Sequence, residues 1–222
     1  MRSAFRKLPT QLFVLLAAAG CASASRAQTP TEITVPRTPM RTTDTSATPH
    51  SYSAADISFM NGMISHHAQA LVMAGWARSH GASPSVQTLA DRITNAQQDE
   101  IATMQSWLRV HNQPVPEANP HGMTMNMNGM THEMLMPGML TEAQLKQLDA
   151  ARSKEFDRLF LTFMIQHHKG AVTMVNDLFA TYGAAQEVTV FKMASDVSAD
   201  QTTEIERMQR MLASVILGPD TP

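Results

Sequence analysis

The chain contains 222 residues, among them 17 basic, 19 acidic and nine histidine side chains, 18 methionines and a single cysteine, Cys21. One cysteine excludes an intramolecular disulfide and any zinc site built on several thiolates. The slightly acidic balance lacks the basic footprint of nucleic-acid-binding proteins, so nucleic acid is not expected as a partner.

Residues 1–27 have the composition of a secretory signal peptide. Three of the first seven residues are basic, and the apolar run from Leu12 to Ala19 is followed by small residues. That run has about half of the ~20 residues that a membrane span needs. We expect cleavage after Ala27, with Ala24 as a second option, and a periplasmic or other extracytoplasmic location. Lipid attachment at Cys21 stays open, because the residues before it resemble a lipobox, and it would be the only contact with a membrane.

Residues 28–51 are rich in Thr, Pro and Ser and have no apolar periodicity, which predicts a flexible tether. Loss of the signal peptide removes four of the 17 basic residues, so 13 remain against 19 acidic ones. The mature protein is therefore expected to be clearly acidic.

Helical periodicity and capping signals predict four long helices in the rest of the chain. Ser53 with Asp56 forms a capping-box pattern, and Ser83-Pro84 places proline at the first helical position. The expected spans are 53–79, 83–111, 141–181 with a break near 152–153, and 185–215. No segment shows the sustained alternation and hairpin turn typical of paired strands.

An internal repeat relates the two halves of the mature chain. Residues 56–74 match residues 157–175 at a constant offset of 101, with eight of 19 positions identical, and the next helices match at an offset of 104. A duplicated helix hairpin predicts an all-α, ferritin-like four-helix bundle. We expect the bundle over residues 52–217, as a first repeat (52–112), a Met-rich loop (117–140) and a second repeat (141–217).

Each repeat carries the pattern Met-Ile-x-His-His-x-x-Ala-x-x-Met on a helix. Adjacent histidines point about 100° apart on a helix, so one is expected to face the bundle interior and the other a neighbouring helix or solvent. Residues four or seven apart share a face, which places a methionine beside each histidine. The candidate metal ligands are therefore Met63, His66, His67 and Met73 in the first repeat, and Met164, His167, His168 and Met174 in the second. This predicts two pseudo-symmetric Met/His sites, one in each repeat.

The Met-rich loop holds seven of the 18 methionines. Its candidate ligands are His121, Met123, Met125, Met127, Met130 and His132. Thioether sulfur is soft and imidazole is borderline, so this ligand set favours copper(I), and silver by the same softness. The expected function is binding of the ion for buffering, sequestration or delivery, with a copper exporter or another periplasmic copper protein as receiving partner.

Two alternatives remain at this point. The histidines and methionines also fit a helical scaffold that binds a partner protein, with methionine as adaptable core and surface filler. A ferritin-type di-metal oxidase needs Glu-x-x-His on facing helices, and neither His pair is preceded by such a glutamate. The recurring Glu100 and Glu204 could simply be capping or surface acids, and no catalytic residue is predicted.

The segment from Phe160 to Met174, with its weaker copy from Phe59 to Met73, resembles the DUF305 family (domain of unknown function 305). The lead-in Pro-Gly-Met-Leu-Thr and the later pattern Gln-x-x-Glu-Ile-x-x-Met also match. The resemblance implies a ferritin-like bundle, exported to the periplasm or cell surface, that binds copper or silver through Met and His. The first copy departs at Gln69, where the second has Gly170, which predicts a difference in helix packing there.

Overall fold

The computed structural model describes residues 51–127 and 130–218. The predicted signal peptide, tether and lipid-attachment residue Cys21 lie outside the described residues. The described elements are α1 (Ala54–Ser79), α2 (Pro84–Val110), β1 (Met123–Met127), β2 (Met130–Met134), α3 (Glu142–Ala150), α4 (Ser153–Ala180) and α5 (Val188–Leu217).

The four long helices form a bundle of two helix hairpins, which confirms the predicted fold class. Helix α1 packs along α2, helix α4 packs along α5, and the two hairpins meet chiefly through α1 and α4. The predicted break in the third helical stretch is also confirmed, because Ala151 and Arg152 are extended and separate α3 from α4. The last helix begins at Val188, three residues later than predicted.

A buried aspartate near the start of each repeat holds the loop of the other repeat. The carboxylate of Asp56 accepts hydrogen bonds from the backbone N–H of Ser53 at 2.6 Å and of Ala185 at 2.7 Å. Its counterpart Asp157 accepts from the backbone N–H of Ser83 at 3.1 Å. Since Ala185 has a φ of 53°, the Asp56 contact also stabilises a left-handed residue in the α4–α5 connection. The repeated aspartate therefore joins the two hairpins.

The Met-rich segment is not the irregular loop that the sequence predicted. Strands β1 and β2 pair antiparallel, with Met123 opposite Met134 and Met125 opposite His132. Alternating methionines flank the dipeptide Asn-Gly at positions 128 and 129, which is a strong hairpin signal in the sequence. The expectation that the chain contains no hairpin is therefore wrong.

The Gln69/Gly170 difference between the repeats arises because the inter-repeat segment contacts the two positions differently. The fully buried Gln69 amide bonds the carbonyls of Pro120 and Leu140 and accepts from the Leu140 N–H at 2.6 Å. At Gly170 an added Cβ would lie 1.9 Å from the Pro137 carbonyl oxygen. Gln69 thus anchors both ends of the inter-repeat segment, and Gly170 lets the backbone of that segment approach α4.

The buried core is divided into two apolar clusters along the bundle axis. The first contains residues from the start of α1 and the end of α4, such as Phe59 and Val175, and the second contains the opposite ends, such as Ala74 and Phe160. This distribution shows that α1 and α4 run antiparallel. Buried polar side chains lie between the two clusters and form the candidate site.

In the part of the chain that the structure describes, no helix is both long and apolar enough to span a bilayer.

Candidate metal centre

A layer of polar side chains crosses the middle of the bundle, and each of the four long helices contributes two of them. We call it the histidine layer: His66 and His67 from α1, Gln97 and Glu100 from α2, His167 and His168 from α4, and Gln201 and Glu204 from α5. All four imidazoles are fully buried, and the two glutamines are 2% exposed. Every member has its counterpart in the other repeat, so the layer follows the internal symmetry of the chain.

His66 and His167 face each other where the two repeats meet. Their ring centroids are 3.8 Å apart, and the rings are inclined by 37°. The Nε2 of His66 lies 3.0 Å from the Pro137 carbonyl oxygen and must donate, because a carbonyl only accepts. Among the described residues, neither ring nitrogen of His167 has a hydrogen-bond partner. The contact joins the two His pairs, which the sequence alone had placed in two separate sites.

The second histidine of each pair points to a glutamate on the neighbouring helix. His67 Nε2 donates to Glu100 at 2.7 Å, and His168 Nε2 donates to Glu204 at 2.8 Å. The glutamate side chains are only 16% and 13% exposed, so the interpretation of both as capping or surface acids is wrong. Of the two directions expected for these histidines, the neighbouring helix is observed and solvent is not.

The hydrogen bonds show which ring nitrogen donates in three of the four rings. With Nε2–H donating, the neutral forms of His66, His67 and His168 carry their free lone pair on Nδ1. Each of these Nδ1 atoms is buried without a partner in the described part of the chain. Buried polar atoms are normally paired, so three unpaired ring nitrogens need an explanation. A bound metal ion would provide that explanation. The glutamates that bond His67 and His168 resemble the carboxylate partners that orient metal-bound histidines.

Burial keeps the two central histidines neutral. Desolvation is the main cause that lowers the pKa of His66 well below 6.5, and the neighbouring His67 and His168 lower it further. Burial likewise lowers the pKa of His167, followed by the charges of His66, His168 and His67. Neutral imidazole is the form that ligates metals.

The four methionines of the repeated motif lie on both sides of the layer. Met63 and Met174 belong to the first core cluster, and Met73 and Met164 belong to the second. All four are buried, three of them completely. This agrees with their use as ligands and equally with their use as core residues, and the predicted pairing of each with one histidine stays a prediction.

A further methionine, not among the predicted ligands, lies near Met174. A Cβ added at Gly62 would be 3.0 Å from Met136 Sδ and 3.3 Å from Met174 Cε, so this glycine leaves space for both side chains. Met136 directly precedes Pro137, whose carbonyl bonds His66. The segment after the hairpin therefore brings a thioether close to the histidine layer.

The remaining candidates belong to the segment before and within the hairpin. His121 is exposed, and Met123 is half-buried against the first core cluster. For Met125, Met127, Met130 and His132 only the backbone belongs to the described part of the structure, as members of β1 and β2. Their predicted role as ligands stays a prediction.

Within residues 51–127 and 130–218, no three His, Cys, Asp or Glu side chains converge closely enough to hold a metal ion. Gln97 and Gln201 are polar members of the layer to which the sequence pattern assigned no role. Each is the first residue of the recurring Gln-x-x-Glu-Ile-x-x-Met pattern. This recurrence at equivalent positions is the sequence signal that could have identified them as members of the layer.

The family model described as a domain of unknown function, DUF305, matches residues 56–212. Among solved structures, a DUF305 protein from Streptomyces coelicolor, provisionally described as secreted, is 28% identical with a TM-score of 0.61, over 72% of this chain and 93% of that one. A DUF305 fragment from Deinococcus radiodurans is 26% identical with a TM-score of 0.60, over 73% and 97%. No curated protein sequence matches the chain.

The protein CopM is similar in sequence and fold. Its Cu(II)-bound form is 30% identical to this chain with a TM-score of 0.54, over 72% of this chain and 96% of that one. Its Cu(I)-bound form is 28% identical with a TM-score of 0.52, over 70% and 94%. Structures of CopM with silver also match.

Proposed function

This chain belongs to the DUF305 family, and from that premise we propose that it is an exported protein that binds copper(I), and silver by the same softness. Binding serves to buffer, sequester or deliver the ion, with a copper exporter or another periplasmic copper protein as the partner in delivery. The support comes from the chemistry of the histidine layer and from the similarity to CopM.

The observation that carries the proposal is the set of buried, unpartnered Nδ1 atoms of His66, His67 and His168. Leaving such atoms unsatisfied costs about 1–3 kcal/mol each, and a bound cation would satisfy them. The imidazoles together with the buried thioethers above and below form a ligand set of soft and borderline character, which suits Cu(I). The structures of CopM with Cu(I), Cu(II) and silver support the same choice of metals.

We further propose binding without catalysis. A ferritin-type oxidase places free carboxylates on facing helices to hold two metal ions. Here the carboxylates of Glu100 and Glu204 each accept a hydrogen bond from a histidine and so hold imidazoles in position. This arrangement favours a role for the glutamates as orienting partners of ligands.

An anaerobic titration of Cu(I) into the mature protein, from Gln28 onward, against a chromophoric Cu(I) chelator tests the proposal. We expect at least one ion per chain with a dissociation constant below about 1 μM, or roughly 8 kcal/mol of binding free energy. Absence of competition with the chelator would refute soft-metal binding.

The same titration on the double variant His167→Ala/His168→Ala tests the histidine layer. We expect weaker binding with unchanged helical circular dichroism, because both rings are buried between helices whose other contacts persist. The matched control is His111→Ala, which removes a half-buried histidine just after α2 whose ring lies outside the histidine layer and bonds the Trp107 carbonyl. If the double variant and the control bind Cu(I) equally well, the layer is not the site.

A further inference from the structure

A groove between α2 and α5 exposes one side of the histidine layer. It has a volume of about 350 Å³ and is lined by Glu100 and Gln97 from α2 and by Asp200, Gln201 and Glu204 from α5. It continues along the same two helices past Asp99 and Asp196. We call this surface the acidic groove.

The charges that line the acidic groove are mostly negative. Five carboxylates line it, namely Asp99, Glu100, Asp196, Asp200 and Glu204, against the two cationic side chains Arg92 and Lys192. Lys192 pairs with Asp196 at the rim. The carboxylates lie close enough together that Glu100, Glu204 and Asp196 add to burial in raising the pKa of Asp200. A groove in which one sign of charge is in excess concentrates counter-ions, in this case cations.

Two buried amides line the groove beside these carboxylates and lack partners. Gln97 and Gln201 are each 2% exposed, and in the described residues neither the Oε1 nor the Nε2 atom of either side chain makes a hydrogen bond. They occupy equivalent positions of the two repeats, three residues before Glu100 and Glu204. A coordinated cation would satisfy the amide oxygens, which are ordinary ligands of hard divalent ions.

We propose that the acidic groove binds a divalent cation through the amide oxygens of Gln97 and Gln201 and the carboxylate of Asp200, with the negative charges of Glu100 and Glu204 beside it. The amide oxygens are needed because no three carboxylate or imidazole groups of the described residues converge on one point. The ligand set is hard, in contrast to the soft thioethers around the histidines, so this site selects a different class of ion. The proposal does not depend on copper(I) binding. The shared carboxylates Glu100 and Glu204, which also orient His67 and His168, connect the two sites.

Manganese(II) is a suitable probe, because the spectrum of the free aqua ion in electron paramagnetic resonance fades when protein binds it. The titration uses the mature protein free of copper. We expect one Mn(II) per chain, and an affinity lower by about tenfold or more in Asp200→Asn, because the site loses a charged oxygen ligand. Glu206→Gln, an exposed residue of α5 outside the groove, removes the same charge and should bind Mn(II) like the wild type.

The double variant Gln97→Leu/Gln201→Leu separates ligation from charge. It removes only unpartnered amides, so it should remain folded and lose Mn(II) binding while its net charge is unchanged. Copper(I) affinity, measured with the chelator, should stay within about twofold in Asp200→Asn. Absence of Mn(II) binding, equal binding by the double variant, or a parallel loss of Cu(I) and Mn(II) affinity in Asp200→Asn would overturn the proposal.

Discussion

The imidazole rings of His66 and His167 lie 3.8 Å apart at the buried point where the two repeats meet. The two residues occupy equivalent positions of the repeat, so the local symmetry axis passes between them. Sequence reasoning predicted one Met/His site in each repeat. The structure places both His pairs in a single layer between two apolar clusters, which makes a site shared by the repeats the natural arrangement.

Replacing His167 with leucine should stabilise the metal-free protein. Neither ring nitrogen of His167 has a partner in the described part of the chain, and a buried polar group without a partner costs about 1–3 kcal/mol. We expect the free energy of unfolding to rise by about 1–2 kcal/mol in urea denaturation with a chelator present. His67→Leu is the contrasting variant: it leaves the largely buried Glu100 carboxylate without its donor and should be destabilising. Equal losses in both variants would contradict the assignment of His167 as unpartnered.

The metal-free protein should lose stability as the pH falls below about 6.5. The native pKa of His66 and of His167 lies well below 6.5, chiefly because of burial, whereas the unfolded chain has the ordinary value. Below that pH the unfolded state takes up a proton at each position and the native state does not. Each histidine then lowers the free energy of unfolding by about 1.4 kcal/mol per pH unit, until the native pKa is reached.

Urea denaturation between pH 7.5 and 5 measures this effect. In His167→Leu the free energy of unfolding should fall less steeply with falling pH than in the wild type. The difference should correspond to one proton, because one of the two histidines with a lowered pKa is gone. The same slope in both proteins would show that His167 does not titrate in this way.

Gly170→Ala should destabilise the protein, whereas Gly75→Ala should not. A Cβ at position 170 would lie 1.9 Å from the Pro137 carbonyl oxygen and 2.6 Å from Gly138 Cα, so the inter-repeat segment must move off α4. We expect a loss of more than about 2 kcal/mol in unfolding free energy, together with a disturbed His66–Pro137 hydrogen bond.

At Gly75 a Cβ meets no atom of the described residues within 4 Å, and alanine in a helix is favoured over glycine by about 0.5–1 kcal/mol. A small gain is therefore expected for this matched helical control. Similar effects at positions 75 and 170 would contradict the close approach at Gly170.

Replacing Met125, Met127 and Met130 together with leucine should lower the number of Cu(I) ions bound per chain without changing thermal stability of the metal-free protein. Leucine keeps the apolar character of the alternating pattern and removes the thioether sulfur. Stoichiometry is measured by competition with a Cu(I) chelator. The comparison variant carries leucine at Met211, a partly buried methionine of α5 outside the motif. An unchanged stoichiometry in the triple variant would remove the hairpin from the binding machinery.

Much of the fold could be predicted because its signals are local. The capping pattern at Ser53 and Asp56, the helical periodicity and the break before Ser153 each depend on residues within a few positions of one another. The hairpin was missed although its alternation and its Asn-Gly turn are equally local. The motif around His66 and His67 could be recognised for the same reason, since its duplication is visible in the linear chain.

The sequence by itself determined the repeat, the four long helices and the residue types available for chemistry, because helix formation and internal similarity depend on neighbours along the chain. Only the tertiary structure decided that His66 meets His167, that Glu100 and Glu204 hold the other two histidines, and that Gln97 and Gln201 are buried without partners. These relationships join residues on different helices. They depend on the rotation and axial shift with which the helices pack, and packing of the whole core sets both.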